Sequence, residues 1–150
     1  MYAVDLGVDA SAFLVVFGAA HLVAVPFTLA GGVLTDRLPR KPLYVGNYAI
    51  EVAMLAAFAL AEGAVLFFAG VALFVLQTTF EPAVLAYFFD QFGDDEAGRA
   101  WGIDGTVARG VGVLAPALGA ALYGVEPRFA FGAGAVAMAG ATLVALGLPD

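Results

Sequence analysis

The sequence predicts an all-α integral membrane protein with five transmembrane helices, and three observations support this fold class. The 150-residue chain is 63% hydrophobic and 13% charged, with a mean hydropathy of +0.96, which is more apolar than a soluble domain of this length. Five continuous apolar runs each approach the ~20 residues that a bilayer requires. Nineteen glycines and abundant alanine suit helices that pack closely in lipid.

Each predicted span ends at charged or turn residues, and the spans together form one domain over residues 1–150. The first span is an uncharged run from Ala10 to Thr35, and an acidic loop at residues 90–102 follows the third. Continuous apolar runs favour helices over the strands of a barrel, in which apolar and polar residues alternate. We place the spans at about residues 11–35, 42–61, 64–89, 103–125 and 129–148.

Basic residues lie mostly on one side of the predicted bundle, because short loops force neighbouring helices to run antiparallel. Four lie on one face: Arg37, Arg40, Lys41 and Arg99. Arg128 lies on the other. The positive-inside rule then puts the 36–41 loop in the cytoplasm of a multi-pass protein of the cell membrane. The first span would follow an external N-terminus that has no basic anchor, so we expect that a helix is missing before it.

The composition excludes several classes of function. Thirteen acidic residues against six Lys and Arg give a net charge of −7, whereas nucleic-acid binding requires a basic surface. One histidine and no cysteine leave hydrolytic or redox chemistry almost without functional groups, and no nucleotide-binding loop is present. The sequence therefore predicts a protein that is not an enzyme, with no cofactor, no bound metal and no nucleic-acid partner.

The loop between the first two spans is a charged segment at residues 32–41, which reads GVLTDRLPRK. It resembles the signature loop of the major facilitator superfamily, which joins the second and third helices of a six-helix half. Pro39 replaces the turn glycine of that loop, and Val71 stands where a membrane arginine often falls; both departures are more typical of the second half. Similar features follow downstream: Pro82-Ala83 before Asp90, Gly98-Arg99-Ala100-Trp101-Gly102, Gly112, Ala115-Pro116 and Gly119-Ala120.

This resemblance implies a partial chain that corresponds to helices two to six of one half of a secondary transporter. It implies transport of an unidentified small-molecule substrate by alternating access, coupled to protons, within the lipid bilayer and together with a second six-helix half or a partner chain. The alternative is an inactive transporter remnant or a non-transporting membrane subunit. An intramembrane enzyme ranks below both, because Glu51 and Glu81 are expected at different depths.

Six residues in and near the charged loop are candidates for a cytoplasmic gate. In the gating interpretation, Asp36 lies against a helix N-terminus, whose partial positive charge attracts an anion, and Arg40 pairs with Asp90. In the simpler interpretation the cations only fix the topology, although a basic anchor requires no aspartate at a fixed spacing. The gate candidates are Gly32, Asp36, Arg37, Arg40, Lys41 and Asp90.

Polar residues inside the spans are candidates to bind substrate or protons, because charge in lipid is costly. Glu51 lies about 14 Å into the second span at 1.5 Å per residue. It is either a proton or cation site or a protonated packing residue. His21 is either a proton relay or, as we favour, bonded to the backbone, and we expect Glu81 to pair with Arg109. The candidates are His21, Glu51, Gln77, Glu81 and Arg109.

Three further residues form a predicted helix-bend motif. Pro82 frees a backbone carbonyl and is expected to kink the third span. Pro116 and Gly119 are expected to bend and narrow the fourth span, so that another helix can approach it closely.

Overall fold

The fold of the chain is all-α. The computed structural model describes residues 2–92 and 96–148, and no strand occurs within those ranges. The predicted fold class is therefore confirmed. The helices, numbered in chain order, are α1 Tyr2–Asp5, α2 Ala10–Arg37, α3 Arg40–Ala59, α4 Ala64–Asp90, α5 Ala97–Val125 and α6 Pro127–Gly147.

The five helices α2 to α6 are long and apolar enough to cross a membrane. Large apolar side chains such as Leu14, Leu22 and Val65 lie on the outer surface of the bundle, and Val65 is 87% exposed. Such a surface is unfavourable in water, whereas lipid tails are as apolar as these side chains. The chain is therefore a multi-pass membrane protein, as the sequence predicts.

The turn between α2 and α3 contains only Leu38 and Pro39. A proline disfavours the helical conformation in the residue before it, and Leu38 is accordingly extended, with φ −114° and ψ 157°. Pro39 has φ −55° and stands directly before the first residue of α3. The proline thus sets the helix boundary, and the basic residues on either side of it lie in the last turn of α2 and the first turn of α3.

Two features of the helices differ from the sequence expectation. The short helix α1 was not predicted, because four residues show no periodicity. α5 begins at Ala97, well before the fourth span predicted from residue 103. Arg99 and Trp101 lie in this early part of α5. A prediction from hydropathy leaves such residues outside the span, although their backbone forms helical hydrogen bonds.

α4 lies between α2 and α3, α6 packs on α3, and α5 makes its main contact with α6. The contact between α2 and α4 is close at Gly31, where a Cβ atom would lie 1.6 Å from the carbonyl oxygen of Thr79. Only glycine fits there, because any side chain would collide with the backbone of α4. Small residues at such crossings allow two membrane helices to pack closely. This crossing holds the middle of α4 in place.

The short helix α1 covers the end of the bundle where α3 meets α4. Tyr2 is 7% exposed, and its hydroxyl lies 2.7 Å from the carbonyl oxygen of Phe58 and 3.2 Å from that of Ala61. The backbone N–H of Tyr2 donates to the Tyr123 hydroxyl of α5 at 2.8 Å. Gly7, with φ 80°, ends the segment in a left-handed conformation that glycine adopts at little cost. These contacts connect α1 to α3, to α5 and to the α3–α4 connection.

Candidate functional site

A cavity of about 660 Å³, within the range of small-molecule sites, opens among α2, α3, α4 and α5. Three of the predicted substrate or proton candidates line it, namely Glu51 on α3 and Gln77 and Glu81 on α4. Asp104 of α5 also lines the cavity, although the sequence analysis did not select it. The cavity therefore combines carboxylates from three separate helices, each long and apolar enough to cross a membrane.

One face of α3 supplies most of the polar lining on its side of the cavity. Tyr44, Asn47, Tyr48 and Glu51 all line it, and their spacing of three and four residues places them on one face of a helix. Sequence reasoning found Glu51 but missed the tyrosines. The same spacing was the available signal, because it is the one polar stripe in an otherwise apolar span.

Asn47 and Gln77 join the two walls of the cavity. Asn47 is 2% exposed and donates from Nδ2 to the carbonyl oxygen of Gln77 at 3.2 Å, while Gln77 Nε2 donates to Asn47 Oδ1 at 3.3 Å. Reciprocal bonds of this type satisfy amide groups that are costly to leave unpaired in a membrane. Gln77 is therefore fixed by Asn47 next to the open volume.

Pro82 interrupts the hydrogen bonds of α4 beside the cavity. It has no N–H group to donate to the carbonyl of Thr78, four residues earlier. The hydroxyl of Thr28 on α2 lies 3.4 Å from that Thr78 carbonyl oxygen, and 3.0 Å from its own Ala24 carbonyl. The carbonyl that Pro82 was predicted to free thus lies within reach of a donor from the neighbouring helix.

An ion pair lies at the end of the bundle where α3 begins and α4 ends. Arg40 Nη1 bonds Asp90 Oδ1, the partner that the sequence analysis assigned to it, and the two side chains are 38% and 46% exposed. A second cavity of about 690 Å³ is lined by this pair and by Lys41, and it shares Tyr87 and Gln91 with the first cavity. The ion pair therefore lines a cavity that adjoins the main cavity.

The other gate candidates are arranged differently. Lys41 donates from Nζ to the carbonyl oxygen of Leu148 at 2.5 Å, which links α3 to the end of α6. Asp36 and Arg37 are exposed in the last turn of α2 and form no hydrogen bond or ion pair with the residues that the structure describes. Asp36 thus accepts no bond from a helix N-terminus within this part of the chain. A Cβ atom at Gly32 would meet nothing within 4 Å.

Two of the predicted substrate or proton candidates lie outside the main cavity. The Nδ1 atom of His21 lies 2.8 Å from the carbonyl oxygen of Phe17, and its ring packs against Phe17 and Phe74 at centroid distances of 4.5 and 5.1 Å. This is the backbone contact that we favoured. Arg109 is exposed on α5, and the expected ion pair with Glu81 is not formed among the described residues, because α5 packs mainly on α6 rather than on α4.

The remaining bend residues lie in α5. The helix continues through Pro116, and a Cβ atom at Gly119 would meet nothing within 4 Å. The close approach of another helix that we expected at this place is therefore not seen with any of the described helices.

The main cavity offers polar groups that can bind a solute. Its polar atoms are carboxylates, phenols and amides, and among residues 2–92 and 96–148 no group of three or more His, Cys, Asp or Glu is arranged to hold a metal ion. A cavity with polar side chains between helices that can cross a membrane, and with an ion pair in the adjoining cavity, suits the binding of a solute.

Comparison with known proteins agrees with this geometry. No curated protein and no solved structure matches the chain. The family profile described as Major Facilitator Superfamily matches residues 1–150. Members of this family are membrane transporters, and the loop at residues 32–41, the all-α bundle and the polar cavity all fit that description. The chain belongs to the major facilitator superfamily.

Proposed function

We propose that the chain transports a small solute by alternating access, and that the cavity beside Glu51, Gln77 and Glu81 is one wall of the substrate site. The observation that supports this most directly is the polar cavity of about 660 Å³ between helices that otherwise present apolar surfaces. Polar groups at membrane depth are costly and mark solute or ion pathways. A second six-helix half or a partner chain supplies the opposite wall.

In this proposal Arg40 and Asp90 form the gate on the cytoplasmic side. The excess of Lys and Arg near the α2–α3 turn supports that orientation in the cell membrane. The pair is partly exposed, and exposed ion pairs contribute only about 0.2–1 kcal/mol. An ion pair of this strength holds the entrance of the cavity closed and is still weak enough to break by thermal motion.

The gate can be tested without knowing the substrate, because the chain has no cysteine. Leu85→Cys introduces one thiol at a residue that lines the cavity and is 46% exposed. A membrane-impermeant maleimide is added to sealed vesicles of either orientation. We expect Asp90→Asn to increase the labelling rate from the cytoplasmic side about two- to fivefold, which corresponds to the loss of an exposed ion pair.

Glu96→Gln is the matched control, since it removes the carboxylate of a second exposed pair, Glu96 with Arg99, away from the cavity. This variant should leave the labelling rate unchanged. An equal rate in the Asp90→Asn variant and its parent would reject the gate. Labelling of Leu85→Cys from one side only, under all conditions, would reject alternating access.

A further inference from the structure

We infer that the substrate is an organic cation, a molecule with an ammonium group and an apolar body; this rests on the proposed function of the cavity. The inference follows from the charges, the rings and the size of the cavity, taken together.

The charge of the cavity has one sign. Glu51, Glu81 and Asp104 line it, and among the residues that the structure describes no lysine, arginine or histidine does so. Two cations line the adjoining cavity, where Arg40 bonds Asp90 and Lys41 donates to the Leu148 carbonyl. Because charges interact strongly in a weakly polar environment, an anion in this cavity would face three carboxylates and no cation among the described residues that line it.

The aromatic rings that line the cavity also favour a positively charged substrate. Tyr44 packs against Tyr48 and Tyr87 at centroid distances of 4.8 and 4.6 Å, and all three line the cavity. The face of a tyrosine ring attracts a cation that lies within about 6 Å of its centre. The hydroxyl of Tyr44 donates to that of Tyr48 at 3.2 Å, which fixes the orientation of these two rings. Tyr44 and Tyr48 thus stand beside Glu51 on the same face of α3, and Tyr87 packs against Tyr44 from α4.

The size of the cavity fits a molecule larger than a bare metal ion. Ca²⁺ and Mg²⁺ require six or more oxygen ligands at about 2.0–2.6 Å, whereas the cavity has a volume of about 660 Å³. Leu85 and Phe88 add apolar surface to its wall. A cavity with acidic groups, aromatic faces and apolar surface fits an ammonium group on an organic body.

Equilibrium dialysis of the purified full chain in detergent tests this inference with two probes that share a ring, benzyltrimethylammonium and benzenesulfonate. We expect the cation to bind and the anion not to bind. Glu81→Gln and Glu51→Gln should each weaken binding of the cation about tenfold, which is the loss of one charge interaction in a partly buried site. Glu62→Gln, an exposed acid outside the cavity, is the matched control and should bind like the parent.

The ring contribution has its own pair of variants. Tyr44→Leu should weaken binding of benzyltrimethylammonium about threefold or more, whereas Tyr44→Phe, which keeps the ring face, should retain it. Equal loss in both variants would assign the effect to the hydroxyl and overturn the role of the ring.

The inference is overturned if benzenesulfonate binds as well as the cation, if neither probe binds, or if the glutamine variants bind the cation like the parent. Binding in detergent requires no change of access across a membrane. A chain that binds the cation but shows labelling from one side only would therefore contradict alternating access and leave this inference standing. A chain that passes the labelling test but prefers the anion would contradict this inference alone.

Discussion

Gly31 and Gly32 are adjacent in α2, yet they meet different surroundings. A side chain at Gly31 would lie 1.6 Å from the Thr79 carbonyl oxygen, whereas one at Gly32 would meet nothing within 4 Å. The atom in the way is part of the α4 backbone, so relief requires that the two helices separate. Sequence reasoning selected Gly32, whose place in the loop pattern is recognisable, and missed Gly31, whose role depends on a helix that lies far away in the chain.

The Gly31→Ala variant should therefore be destabilised by about 1–3 kcal/mol, the usual effect of overpacking. Unfolding of the purified chain by SDS in mixed micelles measures this change. Gly32→Ala is the control, and it should be neutral or stabilised by up to about 1 kcal/mol, since alanine is the better helix former. Equal losses in the two variants would show that α2 and α4 do not cross closely at Gly31.

The polar residues show how far single positions can be predicted. Arg40 and Asp90 were paired correctly, because each lies at the end of a helix and short turns fix which ends are adjacent. The predicted ion pair of Arg109 with Glu81 was wrong, because a similar depth along two helices does not establish that the helices touch. Asp104 was missed for the same reason, since its place at the cavity depends on how α5 is positioned.

At the scale of the helix, the two ends of α2 have aspartates in opposite electrostatic environments. Asp9 is the N-cap, and its Oδ1 atom accepts from the backbone N–H groups of Ser11 at 2.8 Å and Ala12 at 3.1 Å, and from the Ser11 hydroxyl. Asp36 lies in the last turn, where the helix dipole is negative. The bonds from the Ser11 hydroxyl and from the two N–H groups lower the pKa of Asp9 below its ordinary value.

Asp9→Ala should lower the thermal stability of the chain at neutral pH, because the first turn of α2 loses its acceptor. Since the folded pKa of Asp9 is lowered, the stabilising effect is complete above the ordinary pKa of about 4 and is lost as the pH falls through the lowered folded value. The difference in melting temperature between parent and variant should therefore shrink in acid.

Asp36→Ala is the control within the same helix. It removes an acid from the negative end of the dipole and should leave the melting temperature unchanged or slightly higher. A loss at Asp36 as large as that at Asp9 would contradict the capping explanation.

α4 illustrates what a helix pattern predicts and what it omits. Proline at position 82 predicts a free carbonyl four residues earlier, and chain chemistry alone is sufficient for that step. It does not predict that Thr28 of α2 and Asn47 of α3 place donors near adjacent carbonyls, those of Thr78 and Gln77. Those contacts depend on the packing of three helices.

For the whole molecule, hydropathy and the loop at residues 32–41 were sufficient to predict the fold class and the family, because both signals are local in sequence. The single-domain organisation over residues 1–150 stays a prediction. The sequence did not predict which helix α5 packs against, since a surface of small residues can pack against several different helices in lipid. Asp104 reaches the cavity although its helix packs mainly on α6.

Proton coupling of the transport cycle stays a prediction, and Glu51 is its candidate residue in the main cavity. The titratable groups that line the cavity with it include Tyr44 and Tyr48 on α3, Glu81 on α4, and Asp104 on α5. Glu51→Gln keeps the shape of the side chain and removes its proton exchange. We expect the variant to lose the pH dependence of solute uptake into proteoliposomes.

Glu62→Gln should keep the pH profile of the parent, because Glu62 lies outside the cavity in the α3–α4 connection. If uptake by the Glu51→Gln variant follows the parent's pH profile, Glu51 has a packing role and the protons move elsewhere.

The contacts of Tyr2 give the bundle two unlike ends. At one end the buried Tyr2 joins Phe58 to Tyr123, with bonds of 2.7 and 2.8 Å. At the opposite end of α3, the partly exposed side chains of Arg40 and Asp90 form an ion pair, and Lys41 donates to the Leu148 carbonyl. If the helices rotate about the end that Tyr2 joins, the largest displacement will fall at the end that holds Arg40 and Asp90.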